Sequence, residues 1–327
     1  MHIPDNYLSP STCVVFGAVM VPVWRRASIK VKEEMTRQKM PLLGVAAAFS
    51  FLIMMFNVPL PGGTTGHAIG GALVAILLGP YSATFAVTIA LVIQALFFGD
   101  GGILAIGVNC FNMAFIMPFT AFYLFKIIKR LFKSKKSEFL GAFLAAYISV
   151  NAAALFAAIE FGVQPLLFKD SLGRPLYSPY GLNISIPAMM VPHLLVVGIL
   201  EGIITVGAYS YIKKFSPEII YNEKIKSAKA LYIIIGILVL ATPLGLLAKG
   251  TAWGEWGTDE IQKLMGFVPK GMKNGVKFNS PMAAYSIQNM REYFGYIASA
   301  IIGVVLILAV IRVLAKIIFN RKQKENK

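Results

Sequence analysis

Charge is scarce in this 327-residue chain: 14% of residues are Asp, Glu, Lys or Arg, against about 25% in a soluble globular protein. Histidine occurs three times and cysteine twice. No GxxxxGK[ST] loop is present, which excludes a Walker-type ATP site on this chain. HExxH and GxSxG are missing too, and these absences weigh against an enzyme. Cys13 and Cys110 fall in apolar stretches and read as small packing residues, not as a disulfide or metal pair. No basic region precedes the first apolar stretch, so no cleavable signal is read and the mature chain is expected to begin at Met1.

What is abundant is apolar sequence, 57% of the chain, with mean hydropathy +0.69. It is arranged in nine segments, near 10–25, 41–57, 67–79, 82–98, 103–127, 138–162, 186–212, 229–248 and 296–318. Most approach the length of about 20 residues that a membrane helix needs. They lack the strict alternation of a membrane β-barrel. The expected fold is therefore an all-α polytopic membrane bundle. The net charge of +16 comes from clusters after segments one, five, seven and nine, such as Arg25, Arg26, Lys129, Arg130, Lys213 and Lys214. Nine crossings place all four clusters on one side. By the positive-inside rule that side is the cytoplasm, with the N-terminus outside and the C-terminus inside a plasma membrane. No interleaving of basic and aromatic residues points to nucleic acid. A polar, basic break at 214–228 divides a seven-helix unit (1–215) from a two-helix unit (216–327). The second unit carries a long outer loop, 249–293, with Trp253, Glu255, Trp256, Asp259 and Glu260.

Segment three is short, since thirteen helical residues reach only about 20 Å of the roughly 30 Å hydrocarbon core. The charge-free, Gly/Pro-rich stretch before it, 58–66, reads as a re-entrant loop, which must be buried in protein or line a cavity. His67 follows this loop at the start of segment three, where a helix N-terminus disfavours imidazolium and leaves the neutral ring a metal requires. At the chain start, a free amine, the amide nitrogen of residue 2 and Nδ1 of His2 can chelate one metal through a five- and a six-membered ring. A further side-chain nitrogen, such as that of His67, completes a plane of four, a geometry suited to Ni(II) or Cu(II). Pro4, the Asp5-Asn6 pair and Ser9-Pro10, an N-cap followed by an N1 proline, constrain this terminus. Asp100, in Gly99-Asp100-Gly101-Gly102, reads foremost as an Asx-type turn residue. His193 and Glu201, eight residues apart on one face of segment seven, read as a buried structural pair or as support around the ligands.

Four motifs agree with one family. MHIPDNYLSP at the N-terminus, GGTTGHAIGGALVAILLGP at 62–80, QALFFGDGG at 94–102 and PHLLVVGILEG at 192–202 resemble the CbiM/NikM family. Its members are substrate-specific subunits of energy-coupling-factor transporters for cobalt and nickel. The resemblance covers about residues 1–215. It implies that the N-terminal segment folds back into the protein and that the metal ligands are Met1 through its amine, His2 through amide and imidazole, and His67. Asp100, His193 and Glu201 would then support them. TPLGLLAKGTAWGEWG at 242–257 is similar to the small NikN/CbiN-type partner, here fused at the C-terminus. Asn6 departs from the pattern, since many members have glycine there.

The reading is thus a membrane subunit that captures Ni(II) or Co(II) as transported substrate, with no organic cofactor. The resemblance implies a transmembrane coupling subunit and cytoplasmic ATPases as partners. Two other classes stay open: a subunit for a metal-free small molecule such as a vitamin, and a membrane metalloenzyme, whose metal would need an open position for water.

Overall fold

The structure, a computed structural model, describes residues 1–34, 36, 39–61, 63–132, 135–220 and 229–325. Arg37, Lys133, Lys224 and Lys226 of the basic clusters, Gly62 of the glycine run and residues 221–228 of the break lie outside the described residues. So do the side chains of Lys135, Lys136, Arg321, Lys322 and Lys324.

The described residues are mainly helical. The principal helices are α1 (Pro10–Glu34), α2 (Met40–Met54), α3 (Gly71–Leu78), α4 (Pro80–Phe98), α5 (Ile106–Leu131), α6 (Lys135–Leu167), α7 (Leu182–Phe215), α8 (Lys229–Leu247), α9 (Thr258–Met265) and α10 (Glu292–Glu325). Each of the nine apolar segments carries a helix. Among the described residues, seven helices are long and apolar enough to cross a membrane. The 15-residue α2 is shorter, and the eight residues of α3 rise only about 12 Å. Glycine sets the bounds of α3. Gly70 has φ 72° before it and Gly79 has φ 84° after it. Pro80 then starts α4 at once, as a proline at the first helical position can. The stretch expected to be an irregular loop is a small antiparallel hairpin, β1 (Val58–Leu60) against β2 (Thr64–Gly66), with Pro59 opposite Thr65. Pairing within the hairpin satisfies backbone groups that burial would otherwise leave unmet.

The core runs along α2, which is buried along nearly its whole length and packs on α4, α8 and α10. α6 packs on α5 and α7 through fully buried small residues such as Ala142, Ala146, Ala153 and Ala157, which let helix backbones approach closely. The outward faces are apolar as well: Val14, Leu195, Ile203, Ile237 and Val305 are all exposed. A surface of this kind suits hydrocarbon, where helices meet their own backbone hydrogen bonds.

Three helices contain a π turn: Gln94–Phe98 at the end of α4, Phe111–Ile116 in α5 and His193–Val197 in α7. Each shifts the helix register by a residue, and such turns gather at functional sites. The expected outer loop contains α9 and a short helical turn, Lys270–Lys273, and α10 begins at Glu292, earlier than the apolar pattern alone places it.

Candidate metal centre

The first nine residues form no helix, yet most of them are buried. Met1, His2 and Ile3 are 5%, 2% and 0% exposed. A buried extended segment needs partners for its backbone. Asn109 of α5 supplies two: its Oδ1 accepts from Ile3 N at 2.8 Å and its Nδ2 donates to Ile3 O at 3.0 Å. Gly102 N also donates to Ile3 O, at 2.9 Å. Asp5 accepts from Ile103 N and Leu104 N at 3.0 and 2.7 Å. Asn6 stands at φ 71°, a conformation that favours glycine. Its amide pairs twice with the backbone of Val276, at 2.9 and 3.0 Å. Ser9 Oγ accepts from Thr12 N at 3.1 Å, the expected N-cap of α1.

Glycine makes room for this segment. A Cβ on Gly102 would lie 2.4 Å from Asp5 N, and one on Gly101 would lie 3.2 Å from His2 Cδ2. The Gly99-Asp100-Gly101-Gly102 turn is therefore the wall against which residues 2–5 rest.

His67 lies between β2 and α3, four residues ahead of the helix it was expected to open. Its Nδ1 donates to Ala68 O at 3.0 Å, which places the proton on Nδ1 and leaves Nε2 with a free lone pair. Glu201 of α7 fixes the loop itself. Its carboxylate accepts from Ile69 N at 2.6 Å and from Gly70 N at 3.0 and 3.1 Å.

The two histidines meet. His2 Nδ1 is 3.2 Å from His67 Nε2, with ring centroids 5.0 Å apart. Asp100 Oδ1 lies 3.1 Å from the same His2 nitrogen. The terminal amine of Met1 pairs with Glu255 of the 249–293 loop at 3.5 Å. Burial, reinforced by the positive chain terminus, holds the His2 imidazole down at about 3, so the ring is neutral at physiological pH. Among the described residues no group of three or more His, Cys, Asp or Glu has metal-holding geometry. Among those residues, side chains alone thus do not supply a donor set, and the nitrogens gathered here are two imidazoles beside the chain terminus.

Against this geometry stand the known proteins. A family model described as "Cobalt uptake substrate-specific transmembrane region", CbiM, matches residues 2–219. The chain belongs to the CbiM family. A second model, the PDGLE domain, matches residues 227–320. The chain is 45% identical over 322 residues to the probable fused nickel transport protein LarMN of Lactiplantibacillus plantarum, covering 95% of this chain and 97% of that one. It is 43% identical over 333 residues to the fused nickel transport protein NikMN of Rhodobacter capsulatus, covering 94% and 95%. The crystal structure of a truncated transition metal transporter superposes with TM-score 0.62 at 52% identity, covering 65% of this chain and 99% of that one.

Within this CbiM-family chain, the residues singled out from sequence divide into two groups. Met1, His2, His67 and Asp100 come together at one buried place. His193 and Glu201 do not join them. His193 Nδ1 donates to Met189 O at 2.7 Å in its own helix, and Glu201 holds the 69–70 backbone just after His67, so of the two readings given for them the structural pair is not formed. The π turn at His193–Val197 breaks the simple helical spacing on which that pairing rested. The Asx-turn reading of Asp100 is corrected as well: its carboxylate reaches His2, Tyr285 and Gln94 rather than its own turn. Residues that sequence reasoning missed are Asn109, Gln94 and Tyr285. Gln94 and Asn109 are polar side chains in apolar segments, which is itself a signal. Tyr285 lies 185 residues from Asp100 and carried none.

Proposed function

We propose that this chain is the metal-capturing membrane subunit of a nickel or cobalt importer. One ion is held by the Met1 amine, the His2 amide nitrogen and Nδ1, and His67 Nε2. The observation that carries this is the 3.2 Å approach of His2 Nδ1 to His67 Nε2 beside the buried chain terminus. Two nitrogens bound at right angles to one first-row ion, each at about 2.0–2.1 Å, lie about 2.9 Å apart. Little movement would bring both onto one ion. The His67 tautomer fits, since Nε2 is the nitrogen left free. An N4 plane that includes an ionised amide favours Ni(II). The names of the relatives, nickel transport proteins along nearly their whole length, support the same substrate class.

In this reading residues 1–215 form the seven-helix metal unit and 216–327 the accessory unit. Nine crossings place the metal site outside. Residues 249–293 lie over the site through Glu255 and through Tyr7, whose hydroxyl donates to Trp256 O at 2.7 Å. ATP is hydrolysed on partner chains, and a transmembrane coupling subunit joins them to this one. The purified full chain should bind one Ni(II) per molecule in equilibrium dialysis, with Co(II) bound more weakly, and should hydrolyse no ATP by itself. Lack of stoichiometric metal would overturn the reading.

A further inference from the structure

Once an ion sits on His2 Nδ1, that nitrogen has neither lone pair nor proton left for a protein partner. Asp100 and His67, which both face Nδ1, then cannot hold the ring. The remaining handle is Nε2, which carries the ring proton when Nδ1 is the ligand. A buried N–H requires an acceptor. Among the described residues His2 Nε2 is buried and has no hydrogen-bond partner, and Gln94 Oε1 is in the same condition.

The two atoms belong to one place. One oxygen of Asp100 lies 3.1 Å from His2, and the other lies 3.3 Å from Gln94 Nε2. The Gln94 amide is near enough to the His2 ring to favour its protonated form, which the amide oxygen does and the amide NH2 would oppose. The amide is also pinned in one orientation. Tyr285 Oη gives its single proton to Asp100 Oδ2 at 2.6 Å, so it can only accept from Gln94 Nε2, 2.9 Å away. Turned over, the amide would set its oxygen against that hydroxyl and against the carboxylate, acceptor against acceptor. Gln94 is 0% exposed and opens the π turn Gln94–Phe98.

A neutral His2 ring cannot satisfy all of these groups. With its proton on Nδ1 it can donate toward His67 Nε2 or Asp100 Oδ1, but Nε2 and Gln94 Oε1 are then two acceptors with no proton between them. With the proton on Nε2 that pair is joined, and Nδ1, His67 Nε2 and Asp100 Oδ1 are left as three acceptors facing one another. A cation on Nδ1 resolves the conflict.

We propose that Gln94 is a positioning residue of the metal centre: its amide oxygen accepts the Nε2–H of His2 when Nδ1 holds the ion, so that capture moves the ring proton from Nδ1 to Nε2 without releasing it. This rests on the metal reading given above. Ligating imidazoles are oriented through their second nitrogen, and loss of the partner there costs about 10–100-fold in metal affinity.

The test uses the purified full chain, isotopically labelled in its histidine rings. It is read by Ni(II) affinity and by the ring resonances, which a planar, diamagnetic Ni(II) centre leaves sharp. In the unaltered chain Ni(II) should put the His2 proton on Nε2 and shield it from exchange with water. Gln94→Leu removes the acceptor. One Ni(II) per chain is expected, with affinity lowered about 10–100-fold and the Nε2–H signal exchanging faster. Gln94→Glu keeps an oxygen in the same place and should restore most of the affinity and the shielded signal. Unchanged affinity in Gln94→Leu, an Nε2–H equally shielded there, or Gln94→Glu binding no tighter than Gln94→Leu would overturn the proposal. If Gln94→Leu does not fold, the resonances of the unaltered and Gln94→Glu chains decide, and an Nε2–H open to exchange overturns it. If the unaltered chain binds no Ni(II), the metal reading itself falls; equally tight binding by the unaltered and Gln94→Leu chains sinks only the positioning role.

Discussion

The 66–70 loop and the His193–Val197 turn each bury one histidine, and both rings donate Nδ1 to a backbone carbonyl, Ala68 O at 3.0 Å and Met189 O at 2.7 Å. They part at the second ring nitrogen. His67 Nε2 faces His2 Nδ1 at 3.2 Å, whereas among the described residues no second nitrogen faces His193. A buried, backbone-anchored histidine is thus not yet a ligand. It becomes a candidate when its free lone pair converges with others, and here the convergence is made by folding the chain terminus inward, not by His67 itself.

Exchanging the histidines breaks this comparison most directly. His67→Ala should lower Ni(II) affinity by more than the roughly 10–100-fold typical of supporting residues, while His193→Ala should leave it within about twofold, as expected for a site with no shared partner. Isothermal titration of both variants checks this, and equal losses would put the two histidines in the same class.

The next largest effect concerns the wall behind the terminus. Gly102→Ala brings a methyl group within 2.4 Å of Asp5 N, so residues 2–5 must shift while His67 stays on its own loop. Affinity should fall about tenfold or more with the helical bundle intact, since small displacements of ligand groups are costly. Circular dichroism and metal titration on the same sample separate the two. Full affinity would mean that the terminus need not sit where it does.

A subtler distinction is made by pH. His2 is already held down at about 3 by burial and the chain terminus, so acidification from pH 7 to 5 puts no proton on its ring. A change of affinity in that window therefore does not report this ring: it reports the release of protons that metal binding requires of the amine and the amide, together with Glu255 beside the amine, whose carboxyl is pushed up by burial. Apparent affinity should fall as pH falls, with up to two protons released per ion. Proton release measured in two buffers of different ionisation enthalpy checks the count, and a pH-independent affinity would exclude the amine and amide as ligands.

Much of the fold was legible because period and composition are local. Each apolar segment carries a helix, and Ser9 caps α1 as its spacing implied. The meeting of His2 with His67 was also anticipated, because a chelating terminus and a histidine beside a glycine-rich loop are each visible in short stretches. What could not be read lies in contacts between distant residues. The Asn109 clamp on Ile3 spans 106 positions and the Tyr285 bond to Asp100 spans 185. Asp100 looked like a turn residue because its tripeptide is one; only the tertiary fold gives its carboxylate other work. The hairpin at 58–66 was likewise hidden, since its prolines and glycines speak for a loop, and pairing is decided by burial.

The account turns on the chain terminus being a ligand. The measurement is Ni(II) and Co(II) uptake and binding by three chains at matched membrane expression: the unaltered chain, one with a single alanine added before Met1 and retained, and one tagged at the C-terminus. The added residue turns the Met1 amine into an amide and moves His2 to third place, in a pocket where Met1 is 5% exposed. The account predicts that binding and uptake are lost in the extended chain alone; full activity there would contradict it.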